Sequence, residues 1–226
     1  MKTLVIIPAY NEEANIGRIV AAARIYVPEA TVLVVDDGST DRTQILASNQ
    51  GATVVSHGKN KGYGCALQTG YRFAVGFGFD TVLQLDADGQ HDPKYLPVLL
   101  DALHGADVVI GSRFLNGPTY HIPFFRRTGM KLFSSIGKMR GLKISDTTSG
   151  YRALSYRAIL SCIDLEWEYP DANLLLALHR RGLKIIEIPV TMYANREGKS
   201  MHSGLEPVRY VAKMLYSTLL VGAKKA

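Results

Sequence analysis

Apolar residues in this chain fall into short unbroken runs separated by amphipathic stretches. Thr3–Ile7, Thr31–Val35, Thr53–Val55, Thr81–Leu85 and Asp107–Arg113 are such runs, rich in β-branched residues. Continuous apolar strands of this kind are buried on both faces, as in a parallel sheet. Between them, Ile16, Ile19, Val20 and Ala23 recur at helical spacing, as do Ala66, Leu67, Gly70 and Phe73. Strand and helix alternate, which predicts an α/β fold: a mostly parallel, doubly wound sheet with right-handed crossovers and helices on both faces. After about residue 114 the alternation changes. Helices are expected over Phe124–Met139, Tyr156–Ile163 and Ala172–Arg181, a strand over Leu183–Val190, a polar loop over Asn195–His202 and a final helix over Glu206–Val221. Pro189 near the end of its strand predicts a sheet edge.

The punctuation between elements is polar. Asn11 is the expected cap of the first helix, with Glu12 and Glu13 in its first turn. Asp41 with Gln44 has the form of a capping box. Asp92 followed by Pro93 has the form of an N-cap and first helical residue. Gly58-Lys59-Asn60-Lys61-Gly62-Tyr63-Gly64 opens a helix and could hold phosphate there, or could be an ordinary loop; it lacks the Gly-Lys-Ser/Thr ending of a P-loop.

Length and charge narrow the field. At 226 residues the chain has ample material for a core, here read as one domain, 1–226, with a first half 1–113 and a second half 114–226 carrying the C-terminal helix. A net charge of +6 suits an anionic partner. The basic residues form no strip interleaved with aromatics, which argues against nucleic acid. Cys65 and Cys162 lie far apart in apolar contexts, as buried thiols in a reducing compartment do. No run of about 18 apolar residues occurs, so no spanning helix is expected. A strand begins almost at Met1, so the chain is read as cytoplasmic. The stripe of Val208, Val211, Leu215 and Leu219 is core packing or, alternatively, a helix lying on the cytoplasmic membrane face.

Candidate chemistry gathers at the strand ends. Leu85-Asp86-Ala87-Asp88-Gly89-Gln90-His91-Asp92-Pro93 puts two carboxylates where a strand stops and Gly89 permits a turn. Hard divalent cations take such oxygens and keep phosphate as a further ligand, though the stretch reads equally well as a solvated acidic turn with a helix cap. Tyr10 and Glu12, Asp36 and Asp37, and Arg113 stand at other strand ends of the same sheet edge, where open α/β sheets bind ligands. No Gly-x-Gly-x-x-Gly follows the first strand, which argues against a dinucleotide enzyme.

Pro8-Ala9-Tyr10-Asn11-Glu12, Val35-Asp36-Asp37-Gly38-Ser39-Thr40-Asp41, Asp86-Ala87-Asp88-Gly89-Gln90-His91, Gly111-Ser112-Arg113 and Asp146-Thr147-Thr148-Ser149-Gly150-Tyr151-Arg152 occur in this order. In that order and spacing the chain resembles a family 2 inverting glycosyltransferase of the GT-A fold, of the dolichyl- or polyprenyl-phosphate mannose or glucose synthase type. The resemblance spans nearly the whole chain. It implies a nucleotide-sugar site at the carboxyl ends of the strands, lined by Pro8, Ala9, Tyr10, Glu12, Asp37, Asp86, Ala87 and Asp88. It implies a metal site, Mg2+ or Mn2+, at Asp86, Asp88 and Gln90. Arg113, Arg126, Arg196 and Ser200 would face an acceptor phosphate, and Asp88, Asp146 and Arg113 would be catalytic. Two departures fall on the acceptor side: Met130 stands where the synthase type has Ser, and Arg196-Glu197-Gly198-Lys199-Ser200 is one residue shorter than its counterpart.

The implied reaction moves a hexose from a GDP- or UDP-sugar to a polyprenyl phosphate, with a possible peripheral membrane contact. A hydroxyl acceptor on a polysaccharide or glycolipid is the alternative; it would need a general base, for which Asp146 or Asp171 is the candidate. A sugar-nucleotide-binding subunit without activity is a third reading. His202 as a further metal ligand, and Trp167 and Tyr169 as pocket walls, each have a plainer reading as surface or core residues.

Overall fold

The structure, a computed structural model, describes residues 1–117, 128, 134–165 and 172–194. Within them seven strands form one sheet: β1 (Thr3–Ala9), β2 (Thr31–Asp36), β3 (Thr53–Ser56), β4 (Thr81–Gln84), β5 (Val108–Ser112), β6 (Arg152–Ser155) and β7 (Ile185–Pro189). Their order is β3-β2-β1-β4-β6-β5-β7. All neighbours run parallel except β6, which lies antiparallel between β4 and β5. The sheet is therefore mixed. The antiparallel insertion places the chain entering β6 beside the carboxyl ends of β4 and β5. β7 is an edge strand, as Pro189 predicts.

The helices are α1 (Ile16–Tyr26), α2 (Thr43–Asn49), α3 (Tyr63–Gly76), α4 (Leu96–Ala102), α5 (134–139), α6 (Tyr156–Ile163) and α7 (Ala172–Arg180). They cover both faces. Leu4, Ile6, Leu33 and Val35 point toward α3, α6 and α7, and Val5, Ile7, Val32 and Val34 toward α1, α2 and α4. Alternate residues of one strand thus feed two cores, which is why the strands read as unbroken apolar runs.

Some boundaries differ from the sequence pattern. β1 runs through Pro8 to Ala9, because its pairing with β4 stops at Ile6 and only β2 accompanies it further. A proline is tolerated where a strand has one free side. Asn11 does not cap α1. It takes a left-handed conformation (φ 54°) and its side chain accepts from the Thr40 amide at 2.9 Å. The cap position is Asn15, and the first turn of α1 carries no acid. Asp41 accepts from the Thr43 amide at 2.9 Å, but Gln44 does not reach back; its amide donates to Asp36 Oδ2 at 2.7 Å. The long-range acceptor wins over the local box. Asp92 caps a short turn over Pro93–Tyr95 that runs into α4, accepting from the Lys94 amide. The helix expected over Phe124–Met139 is described only at residues 128 and 134–139. The loop 195–202 and the final helix lie outside the described residues, as do Arg126, Met130, Trp167, Tyr169, Asp171, Arg196, Ser200 and His202.

Candidate active site

The carboxyl ends of β1, β2, β4 and β5 share one edge of the sheet. At the end of β2 the backbone amide of Asp37 donates to the Ala9 carbonyl at 2.8 Å, so the β1 and β2 ends are tied together. The Asp37 carboxylate is buried. Its Oδ1 accepts from the Lys61 amide at 2.9 Å and meets His57 Nδ1 at 2.6 Å, while Oδ2 accepts from the Gly62 amide at 2.7 Å. The glycine-rich loop is therefore folded onto an internal carboxylate. Two of the amides expected to cradle phosphate are already used, which corrects that option. Gly38 (φ 77°) sits so close to the Lys59–Asn60 backbone that a Cβ would come within 2.6 Å of it. Asp36 takes the plain structural role: its Oδ2 accepts from Ser39 N, Gln44 Nε2 and Ser56 Oγ.

Asp86 and Asp88 follow β4. Asp88 Oδ1 accepts from the Gln90 amide at 2.9 Å, and Gly89 takes φ 76°. This side-chain turn re-aims the chain between the two acids. Asp86 Oδ1 accepts from the Tyr63 hydroxyl at 2.8 Å. On the other flank is Gly150, where a Cβ would lie 2.8 Å from that hydroxyl and 3.1 Å from Asp86 Oδ2. Glycine is required there by space, not by dihedral angle. Burial raises the Asp86 carboxyl above the usual range, opposed by the Tyr63 bond and by the charges of Arg152 and Arg113. Glu12 is also raised, first by burial and then by repulsion from Asp88, Asp41 and Asp86. Glu12 therefore stands in a negative field. Behind them, the Asp86 amide donates to His91 Nδ1 at 3.0 Å, and the ring stacks on Tyr151 at 4.8 Å between centroids. Burial holds His91 neutral, with its pKa lowered to about 4.

Arg113 and Asp146 form a buried pair. Arg113 Nε donates to Asp146 Oδ2 at 2.7 Å and Nη2 to Oδ1 at 3.2 Å, and the Arg113 amide adds a third bond to Oδ2 at 3.1 Å. Glu187 on β7 holds the preceding backbone, accepting from the Ser145 and Asp146 amides at 2.7 Å each. Ser149 Oγ donates to the Gly111 carbonyl at 2.7 Å. The polar stretch 146–150 is thus a built turn that joins the end of β5 to the start of β6. On the α1 side a cleft of about 290 Å³ is lined by Asn15, Arg18, Asp88, Gly89, Tyr193 and Ala194. Tyr193 is fastened there: its amide donates to the Gln90 carbonyl at 3.0 Å and its hydroxyl to Asp92 Oδ2 at 3.2 Å.

The model of the family described as "Glycosyl transferase family 2" matches residues 4–162. The chain belongs to this family. This glycosyltransferase is 37% identical over 221 residues to the undecaprenyl-phosphate mannosyltransferase of Micrococcus luteus, covering 90% of this chain and 88% of that one. It is 35% identical over 216 residues to the polyprenol monophosphomannose synthase of Mycolicibacterium smegmatis, covering 90% and 82%. Among solved structures, glucosyl-3-phosphoglycerate synthase of Mycobacterium tuberculosis with Mn2+ and UDP-glucose superposes with a TM-score of 0.72 at 25% identity, over 97% of this chain and 78% of that one. The same enzyme has been crystallised with Mg2+ and UDP. The GT-A fold expected from the motifs is the fold observed.

The residues of the glycosyltransferase fit a divalent cation. Among the described residues no hydrogen bond reaches Asp86 Oδ2, and the Asp86 side chain is 31% exposed. Among the described residues no group of three His, Cys, Asp or Glu side chains converges as a complete cage. Two carboxylates completed by diphosphate oxygens and water is a ligand set magnesium-type ions use. Gln90 engages neighbours through its backbone, at the Asp88 carboxylate and the Tyr193 amide. Pro8 and Ala9 end β1 in the buried layer, and Tyr10 lies beside them, 40% exposed.

Sequence reasoning missed Tyr63, Gln84, Tyr71, His57 and Glu187. One signal was available. Gln84 interrupts an apolar run, and a buried amide needs partners on both its oxygen and its nitrogen.

Proposed function

We propose that the glycosyltransferase is metal-dependent and inverting, moving a hexose from a nucleotide-diphospho-sugar to a polyprenyl phosphate. The observation that carries this reading is the Arg113–Asp146 pair. A hydroxyl acceptor needs a general base. Asp146, the candidate for that task among the described residues, has both oxygens committed to Arg113 in a dry setting. A phosphate acceptor is already anionic at pH 7 and needs no base. The acceptors in the names of the two bacterial relatives, undecaprenyl phosphate and polyprenol monophosphate, support the same choice.

The division of labour follows from position. Asp86 and Asp88 hold the cation, which when bound acts as a Lewis acid toward the departing diphosphate. Gln90 is a further candidate ligand. Pro8, Ala9, Tyr10, Glu12 and the Asp37 wall receive the base and ribose. Arg113, oriented by Asp146 and through it by Glu187, stands on the acceptor side. Arg126, Arg196 and Ser200 extend that side in this reading. The acceptor phosphate attacks the anomeric carbon from the face opposite the diphosphate. Among the described residues no helix is long and apolar enough to cross a membrane. Peripheral contact with an anionic cytoplasmic face is part of the proposal, supported by the net charge of +6.

The test is transfer of radiolabelled hexose from GDP-mannose and from UDP-glucose to undecaprenyl phosphate, with Mn2+, Mg2+ or EDTA. The expected result is an organic-extractable product of inverted configuration, lost in EDTA. Label appearing only in a saccharide hydroxyl acceptor would overturn the phosphate reading.

A further inference from the structure

Three directional hydrogen bonds run through the core to the site. The Tyr71 hydroxyl donates to Gln84 Oε1 at 2.6 Å. Gln84 Nε2 donates to the Tyr63 hydroxyl oxygen at 3.1 Å. The Tyr63 hydroxyl donates to Asp86 Oδ1 at 2.8 Å. Tyr71 and Gln84 are fully buried. The acid end fixes the directions: the Asp86 carboxylate can only accept, so Tyr63 donates to it and accepts from the Gln84 amide nitrogen, which leaves the Gln84 oxygen to accept from Tyr71. α3 supplies both tyrosines and β4 supplies Gln84, so the relay ties the helix to the strand that carries the acids.

The other faces of Asp86 are also defined. His91 Nδ1 lies 3.7 Å from Oδ2, but it accepts from the Asp86 amide and has no proton to give on that side. Gly150, having no side chain, leaves space beside both carboxylate oxygens that a Cβ would fill. One oxygen is therefore held and the other is left open.

We infer that Tyr63 is a positioning residue: the relay Tyr71–Gln84–Tyr63 holds Asp86 Oδ1 and reserves Oδ2 for a single bond to the divalent cation. The inference rests on the metal reading given above. An outer hydroxyl fixed on a ligating carboxylate sets its orientation before the ion arrives. Loss of such a partner typically weakens metal affinity 10- to 100-fold. Tyr63→Phe removes the hydroxyl and keeps the ring. Tyr71→Phe leaves Tyr63 in place but frees the Gln84 amide to turn, so its effect passes through Tyr63.

The experiment uses the full chain and reads the Mn2+ concentration at half-maximal thermal shift, in saturating GDP and, separately, UDP. Wild type, Tyr63→Phe, Tyr71→Phe, the double variant and Asp86→Asn are compared. Tyr63→Phe is expected to raise the midpoint about tenfold. Tyr71→Phe is expected to raise it by a smaller factor, and the double variant to match Tyr63→Phe alone, because the two act in series. A merely structural role would give additive losses of metal-free melting temperature and leave the Mn2+ midpoint in place. That outcome, with Asp86→Asn abolishing the Mn2+ effect, overturns the relay and leaves the metal reading standing. An unchanged Mn2+ effect in Asp86→Asn, or none in wild type, overturns both.

Discussion

Replacing Asp146 with alanine separates a base from an anchor. The carboxylate receives three N–H bonds from Arg113, at 2.7, 3.1 and 3.2 Å. The side chains of Arg113 and Asp146 are 6% and 0% exposed, so neither is well served by water. Breaking a buried pair from one side costs about 3–5 kcal/mol, because the remaining charge stays buried without its counter-ion. For a chain of this size each kcal/mol moves the melting temperature by roughly 2–4 °C. Asp146→Ala should therefore melt about 6–20 °C below wild type in the absence of ligands. Asp146→Asn keeps one acceptor oxygen and should lose less. The double variant Arg113→Met/Asp146→Ala removes the stranded charge as well and should melt above Asp146→Ala, since apolar replacement of both partners is often close to neutral. Differential scanning calorimetry of wild type, Arg113→Met, Asp146→Ala and the double variant closes the double-mutant cycle. The reasoning is refuted if Asp146→Ala melts within 2 °C of wild type by that measurement while the pH–rate profile loses its acidic limb, which is the signature of a general base on an otherwise independent side chain.

Further consequences are open to measurement. Gly150→Ala fits the backbone but drives a methyl group against the Tyr63 hydroxyl and Asp86; it should weaken Mn2+-dependent nucleotide binding at least tenfold by calorimetric titration while changing the melting temperature little. Asp37→Ala strips the acceptor from the Lys61 and Gly62 amides and from His57; trypsin should then cut at Lys59 or Lys61 faster than in wild type, and equal cleavage rates would contradict the anchoring of that loop. His91 is held neutral by burial with its pKa near 4, below its ordinary 6.5. Its unfolded form takes up a proton first as pH falls, so the stability it contributes is complete above about 6.5 and is lost toward pH 4, up to about 3 kcal/mol. Urea denaturation of the metal-free protein should show this slope in wild type and not in His91→Asn; parallel slopes would count against a neutral buried imidazole. Asp86 is raised by burial; Mn2+ affinity measured by calorimetric titration should rise with pH as it ionises, because the ion competes with protons for its carboxylate.

What could be read from the residues follows from how far each signal reaches along the chain. The sheet was legible because burial on both faces leaves unbroken apolar runs, and each run is visible within five or so residues. The acids at the strand ends were legible for the same reason: Asp37, Asp86 and Asp88 stand immediately after such runs. The antiparallel placement of β6 was not, since Arg152–Ser155 looks the same in either direction and its neighbours β4 and β5 are chosen by packing. Local capping rules fail at α1 and α2 because distant partners compete, a donor for Asn11 and acceptors for Gln44. Asn11 has its side chain on Thr40, 29 residues away, and Gln44 spends its amide on Asp36 and Ser56.

The same asymmetry separates the residues that would touch ligands from those that hold them. Asp86 announces itself by charge at a turn; Tyr63 sits 23 residues earlier, in a loop–helix junction that reads as ordinary, and meets Asp86 only once α3 packs on β4. Glu187 lies 41 residues beyond Asp146 and looks like a polar residue on an edge strand until its carboxylate is found on two backbone amides. Such supports carry no signature of their own, because a hydrogen bond requires only a donor and an acceptor at the right place, and place is what the sequence leaves implicit. Gln84 is the exception that shows the rule. An amide inside an apolar strand is costly unless both its ends are paired, so its presence requires partners even before they are located. Isolated polar residues within buried runs are thus the positions from which a supporting network is to be sought, and here that search leads from Gln84 to Tyr71, Tyr63 and Oδ1 of Asp86.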